Sequence, residues 1–508
     1  MSVIAWLRQY GFKRQSRMKL MTASDLRRLP HKERAYMNRS WRNHEAHHGE
    51  RGVTMIFVAL AMVAIIAMAA LSIDVVILYL AKEEAQRSAD AAALAAARVL
   101  SLSGVTGDPD NTQGSLPSAP WQAACALATQ MAQAVAKQNT VGRAVVNTVT
   151  VTFLYNGATT DCTAGGAFSL NPQVKVNIVQ PGLPTFFSRI WNRSPSQVSA
   201  TATAEAFNPS NSLNIAPNGL VTVNPRCVKP WIVPNRDPVN SGTPFVALAD
   251  GSIQTPGIQT PGAATGAIIG ENFALVADCL TGNPNCTHAG GIGLIDNPPG
   301  SGLPPIGQGA GTLDYVPALI GGTATGVPSC ATGSVYQEAI AGCDQSTVYA
   351  CGIVGGGAQV DLTFNPGKTN GETATATECL IHEAGAGGVG QDSLDATGFP
   401  FQIHPGPRNP LLANPGMTTS SVITSSNSII TLPIYDDKQG TANPVPFTVD
   451  QPPVTIVGFL QVFVRDIGPS GNIDVTVLNV AGCSNTATDT TPTVSGTSPV
   501  PIRLITTQ

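Results

Sequence analysis

The chain has 508 residues, of which 43% are hydrophobic and only 12% charged, with 51 Gly, 39 Pro and a formal net charge of −4. That length leaves room for two or three domains with real cores. The polar part is uncharged and turn-rich, which speaks for an extracellular β protein and against a cytoplasmic enzyme.

The near-neutral total hides an asymmetry. Residues 1–51 hold twelve Lys/Arg against four Asp/Glu, and the chain beyond Leu80 holds sixteen against twenty-seven. Positive segments stay on the cytoplasmic side of a membrane, so the N-terminus is expected inside and the acidic bulk outside. The basic tail carries Trp6, Tyr10, Phe12 and Trp41 among its charges and reads as a segment lying on the anionic inner leaflet. Binding of nucleic acid is set aside because an apolar span follows at once. His44-Glu45-Ala46-His47-His48 in this tail matches HExxH, the helical zinc-protease pattern. The tail offers no third ligand and no surrounding domain to exclude water, so the match reads as a solvated His-rich patch.

Residues 53–73 form 21 positions without a charge, apolar except for Thr54 and Ser72. At about 1.5 Å per residue such a helix crosses a hydrocarbon core of about 30 Å, and a transmembrane helix is predicted over 52–81. The run is too long for the 7–15 residues or so of a secretory signal core, although Ala67-Met68-Ala69 offers a small-x-small cleavage site. Asp74 falls about 30 Å from Gly52 and is expected to be a polar stop reaching water at the outer interface. No Gly or Pro interrupts the chain beyond it, so one helix should continue to about residue 100. There Ala85, Ala89, Ala92, Ala96 and Val99 recur at spacings of four and three. Such a stripe of small residues fits either a second protomer, through self-association, or the helix's own domain.

After a Gly/Pro/Asn-rich loop, Pro120 opens a second helix with Trp121, Ala124, Cys125, Ala128, Met131 and Val135 on its apolar face and Gly142 as its stop. Alternating runs then predict strands at 149–154, 174–179 and 198–206. Residues 82–207 therefore read as an α+β module: long helix, second helix and a small antiparallel sheet. Residues 208–219 are an Asn/Pro-rich linker. Residues 220–508 read as mainly β and loop, with strands at 359–364, 428–435, 454–464, 473–478 and 501–505 and with Trp231 packed in a core.

Arg51-Gly52, an apolar helix ending in Ile73-Asp74, and the tail Gln86-x-x-Ala89-Asp90-Ala-Ala-Ala93-Leu94 together resemble the N-terminal module of the Tad (tight adherence) pilus-assembly proteins, the TadE/TadG-like group. The segment PTFFSRIWNRSPSQVSATATAEA at 184–206 is similar to the same family. The resemblance covers residues 50–207 and implies a single-pass bacterial membrane protein that works with other pilus-assembly or secretion proteins. Prepilin-type cleavage after Gly52 goes with Glu at the fifth mature position in pilin-like proteins; Phe57 stands there, as suits a TadG-like chain better.

All ten cysteines lie beyond the span and none has CxxC spacing, which favours disulfides in an oxidising compartment over zinc. A Cys125–Cys162 bridge would pin helix to sheet. Cys279 with Cys286, and Cys343 with Cys351, are close enough in sequence for short local loops, with the remaining connectivity open. The DxSxS loop of a von Willebrand A metal site is absent. Asp436-Asp437 and Asp392 with Asp395 lack the alternating acidic ladder of a Ca²⁺ loop and read as surface solvation. No cofactor or metal is expected. The leading reading is a non-enzymatic pilus component; the alternatives are an adhesin that displays a β-rich domain on a pilin-like stem and, distantly, a metalloprotease using His44, Glu45 and His48.

Overall fold

The computed structural model describes residues 51–102, 118–155, 158–160, 162, 171–183, 187, 196–208, 223–239, 243–248, 253, 268–277, 311–319, 324–344, 359–360, 363–364, 370–385, 387–397, 400–436, 454–468, 471–482, 494–496 and 498–505. The chain divides into two compact units, residues 1–76 with 186–192, and residues 77–185 with 193–508.

The first element is one continuous helix, α1, Arg51–Leu102. Its second half belongs to an α+β module. There it is joined by α2, Ser118–Gln138, the small hairpin β1 (Thr140–Val141) and β2 (Ala144–Val145), and strands β3 (Thr148–Tyr155), β4 (Ala158–Thr160), β5 (Gln173–Leu183) and β6 (Ser196–Ala206). β5 alternates strictly over its first eight residues, burying Val174, Val176 and Ile178 at 0% exposure, as a half-buried antiparallel strand must. Gly142 does not stop α2, which ends four residues earlier. Gly142 and Arg143 have φ of 60° and 70°, the pair of left-handed residues that a two-residue hairpin turn demands, and a Cβ on Gly142 would meet Leu183 at 2.3 Å.

The rest of the chain adds β7 (Val223–Pro225), β8 (Trp231–Pro234), β9 (Asn272–Ala277), β10 (Thr312–Leu319), β11 (Ala324–Thr325), α3 (Val335–Ala341), β12 (Cys343–Asp344), β13 (Gln359–Val360), β14 (Thr363–Phe364), α4 (Asn370–Ile381), β15 (Ser393–Asp395), β16 (Gln402–His404), β17 (Ile429–Tyr435), β18 (Val454–Ile467), β19 (Ile473–Gly482), β20 (Val494–Gly496) and β21 (Ile502–Ile505). Strands β18, β17, β8, β10, β9 and β19 pair in that order, and β19 pairs back onto β18, so six strands close into a barrel. Closure removes the open edges that a sheet otherwise exposes. Two of the six pairings, β10 with β9 and β17 with β8, are parallel.

Several expectations are corrected here. Beside its strands and loops the distal region also holds the helices α3 and α4. Residues 359–364 are not one strand: β13 pairs with β18 while β14 pairs with β10. Residues from both sides of the expected 208–219 linker share one sheet, because β21 pairs antiparallel with β6, Ile502 opposite Ala206. Arg503 there binds Glu205 at 2.5 Å and stacks 4.8 Å over the Phe207 ring.

The barrel core is knit by aromatic side chains. The Trp231 indole N–H donates to Tyr336 Oη at 3.1 Å, and Thr373 Oγ1 lies 3.3 Å from the hydroxyls of both Tyr315 and Tyr336. Burial pushes the Tyr336 phenol up to about 12. Lys229, fully enclosed, donates from Nζ to the carbonyls of Ile340 and Gly342 at 2.5 and 2.8 Å. It thereby satisfies the carbonyl end of α3, while burial lowers its ammonium to about 7.

Candidate membrane anchor and packing face

The apolar start of α1 shows the exposure pattern of a lipid-solvated helix. From Val53 to Ile73 every large apolar side chain is 49–77% exposed, all round the helix, an arrangement that water does not tolerate. Among the described residues α1 is the one helix long and apolar enough to cross a membrane.

Asp74 departs from expectation. It is not a solvated stop but 2% exposed, and its Oδ2 accepts the backbone N–H of Phe187 at 3.0 Å. A carboxylate removed from water needs such a donor, and here it comes from the loop between β5 and β6, more than a hundred residues away in sequence. Ala70, one turn earlier, is also buried, at 7%.

Beyond the span the helix changes character. Ala81, Ala85, Ala89, Ala92, Ala93, Ala96 and Ala97 are 0–1% exposed and share a core with Ala124, Ala128, Ala132 and Ala136 of α2 and Ala200, Ala202 and Ala204 of β6. Small residues on all three elements let backbones approach closely. The stripe is therefore filled by the chain's own module, which is the second of the two partners that the pattern allowed.

The polar positions of the helix fasten the same contact. Lys82 Nζ donates to the Ser199 carbonyl and Gln86 Nε2 to that of Thr201 at 3.1 Å, both on β6. Gln86 Nε2 also reaches Asp90 Oδ1 one turn on, at 2.8 Å. Glu84 Oε2 accepts the N–H of Gly142 at 2.7 Å, and Ser88 Oγ donates to Ala136 O of α2 at 3.2 Å. So Gln86 and Asp90 fix one face of the helix against the sheet edge, Ala89 and Ala93 fill the core, and Leu94 packs half-buried at its margin. Gly52 lies within the first turn of α1.

The far end of α1 is tied to the barrel. Arg98 Nε donates to Thr424 O at 3.4 Å, and burial lowers the Arg98 pKa. Ser101 Oγ donates to Val500 O at 2.7 Å, and Asn479 Nδ2 donates to Ser101 O at 2.9 Å.

Three disulfides join described residues. Cys125 of α2 is bonded to Cys162, Cys227 to Cys343, and Cys330 to Cys379 of α4. Cys343 is therefore not paired with Cys351. The strand β11–β12 and the Lys229 cap hold the α3 terminus beside residue 227 instead, which is 116 positions away in sequence. Cys279, Cys286 and Cys351 lie outside the described residues, as do Asp437 and the His44–His48 patch.

No group of three or more metal-ligating side chains occurs among the described residues. Asp392 is not a solvated surface carboxylate. It is 4% exposed and accepts from Gly406 N, from Asn409 Nδ2 through both oxygens, and from Ser426 Oγ, so that it pins three loops. Asp395 caps its own turn through Thr397. Beside Asp392 opens a cleft of about 550 Å³ lined by Val389, Leu394, Pro405, Pro407, Phe463 and Arg465.

Sequence reasoning missed the Asp74–Phe187 contact because its donor is a backbone N–H that no residue pattern marks, and the Asp392 contacts because Gly406, Asn409 and Ser426 are 14 to 34 residues away in sequence. It missed α3 although Ser334 and Gln337 form a complete capping box, a legible start signal.

Residues 52–99, which are the span together with its alanine face, match the family model for putative Flp pilus-assembly TadE/G-like proteins. No curated protein and no solved structure matches the chain. The similarity to putative Flp pilus-assembly TadE/G-like proteins is thus to residues 52–99 of this chain.

Proposed function

We propose that this protein is a membrane-anchored, non-enzymatic structural or assembly component of a Tad/Flp-type pilus or secretion apparatus. Its N-terminal tail faces the cytoplasm and the module and barrel face outward. The observation that carries the reading is the division of α1. Its first half exposes every large apolar side chain from Val53 to Ile73, while its second half is packed into the module core and hydrogen-bonded at Ser101 to the segment that leads into β21. One continuous helix thus supplies both anchor and stem. The charge asymmetry supports the orientation, and the three disulfides support an oxidising compartment for everything after the span. The protein's partners are then the bilayer and other pilus-assembly proteins.

The test is twofold. In spheroplasts, external protease should digest residues 101–508 and spare the basic tail, and a deletion strain should lose its pili in electron micrographs. Protection of the large region overturns the orientation, and wild-type pilus numbers in the deletion strain overturn the assembly role.

A second reading, a surface binding protein on a pilin-like stem, is favoured by the cleft beside Asp392, whose size is that of a small-ligand site. Arg465→Ala should then abolish adhesion while leaving pilus number unchanged.

A further inference from the structure

The cleft beside Asp392 carries a charge that the fold does not use. It measures about 550 Å³, and its walls are the segments 389–394 and 405–407, completed by Thr419 and by Phe463 and Arg465 of β18. The walls are fixed by close main-chain contact. Asp392 Oδ1 accepts the Gly406 N–H at 2.8 Å, and Gly390 O accepts the Arg408 N–H at 3.2 Å. A Cβ on Gly406 would stand 1.9 Å from Gln391 O, so only glycine allows this approach. Just beside it β15 pairs with β16, Ser393 opposite His404. A site held in this way is formed before a ligand arrives.

Arg465 enters the cleft from an irregular point of the barrel. From Val462 to Val464, β18 pairs residue for residue with β19, ending at Val464 opposite Val475; the next pair is Asp466 opposite Asp474, which leaves Arg465 as the extra residue of a β-bulge. A bulge re-aims a side chain, and bulges are frequent at barrel rims beside functional sites. Val464 and Ile467 are 0% exposed, whereas Arg465 is exposed. Its guanidinium has no hydrogen-bond or ion-pair partner among the described residues. The nearby acids are engaged elsewhere. Asp392 is held by Gly406, Asn409 and Ser426, and Asp466 Oδ1 accepts the Ile467 N–H at 2.8 Å. Among the lining residues, Arg465 is therefore the charge left open.

The rest of the lining is largely apolar, with Leu394, Pro405, Pro407 and Phe463. At its lip Val389, 75% exposed, is the most exposed large apolar side chain outside α1 among the described residues. A planar guanidinium matches a carboxylate through two parallel N–H···O bonds. One cation balances one negative charge, and the second charge of a phosphate monoester would lie uncompensated against apolar groups. We infer that the cleft binds a monoanionic organic carboxylate with an apolar body, the carboxylate forked by Arg465 and the body laid against Phe463, Leu394 and Pro405. This rests on the reading of the protein as a surface binding protein and names the ligand of that same site. The C-terminal carboxylate of a peptide and a free organic acid share this chemistry.

The test is isothermal titration of the full chain in detergent with N-acetylphenylalanine for a peptide end, 3-phenylpropionate for a free acid, N-acetylphenylalanine amide without the charge, and phenyl phosphate. At least one of the two carboxylates should bind saturably, and the better binder identifies the source. The amide should bind about tenfold more weakly or worse, because the charge-assisted fork is lost. Arg465→Met keeps an unbranched apolar stem and should lower carboxylate affinity about tenfold or more. Arg465→Lys should retain part of it, with the melting midpoint unchanged in both variants. Equal affinity for acid and amide, tightest binding of phenyl phosphate, or no binding of either carboxylate overturns the proposal. Carboxylate affinity unchanged in Arg465→Met overturns the role given to the fork. Cell adhesion that falls with Arg465→Met while no carboxylate binds the parent overturns the ligand class and leaves the binding-protein reading standing. Adhesion unchanged in a variant that has lost carboxylate binding overturns that reading and leaves the site.

Discussion

The module and the barrel solve the same packing problem with opposite inventories. Among described residues, fifteen of the twenty-eight buried side chains that make up the module core are alanine, against two of thirty-five around the barrel. In the module, α1 comes close enough to β6 for lysine and glutamine side chains to reach strand carbonyls, and stability rests on close backbone approach plus a covalent tie. In the barrel, Trp231, Tyr315, Phe459 and Phe463 are fully buried, and each brings a large apolar area out of water. The module should therefore tolerate loss of side-chain volume and resist its addition, and the barrel should do the reverse.

The largest expected effect is truncation in the barrel. Trp231→Ala removes the largest fully buried side chain and leaves the Tyr336 hydroxyl without its indole donor. It should cost about 3–5 kcal/mol in denaturant unfolding, and a cost below about 1 kcal/mol would break the comparison. Next comes the tie in the module. Replacing Cys125 and Cys162 by serine opens a 37-residue separation and should cost on the order of 3–4 kcal/mol in the chain-entropy view, checked by the shift in melting midpoint. A third change probes the tight helix–sheet approach itself. Ala89→Leu, at a position with 0% exposure, should cost about 1–3 kcal/mol through overpacking. A neutral result would mean that the alanine face is not closely packed.

Legibility in the sequence follows the same division. Strands β5 and β6 were readable because one face is buried and the period shows, and β17, β18 and β19 because they are apolar runs buried on both faces. The helix α4 was not. Its sequence, Asn370–Ile381, interleaves Thr and Ala at strand-like spacing, and its Thr373 and Thr377 are fully buried. Tertiary contact and the Cys330–Cys379 bond override local preference there. Barrel closure was not readable either, because β8, β9 and β10 find partners that depend on chain crossings and not on neighbours in sequence. For the anchor, the span and the alanine stripe were plain, whereas the burial of Asp74 depended on a backbone N–H that only the fold delivers.

The last and smallest expected effect concerns pH. Glu383 follows α4 and is 6% exposed. Its Oε1 accepts the Gly388 N–H at 2.7 Å, while Oε2 has no donor among the described groups. Burial pushes its carboxyl up to about 7. The Gly388 N–H opposes that rise, while the Asp466 side chain and the charge of Glu378 add to it. Arg408 Nη1 is spent on the Glu383 carbonyl, at 3.4 Å. Because the folded-state value lies above the ordinary 4.5, the folded chain holds a proton that the unfolded chain has released between these two values. Stability contributed by this group is therefore present below about 4.5 and is lost as pH rises through about 7. Glu383→Gln imitates the protonated carboxyl, so at pH near 4.5 the variant and the parent should melt together. At pH 8 the variant should be the more stable of the two, and the parent's falling slope between those pH values should flatten. Parallel pH profiles for the two proteins would show that Glu383 stays charged throughout.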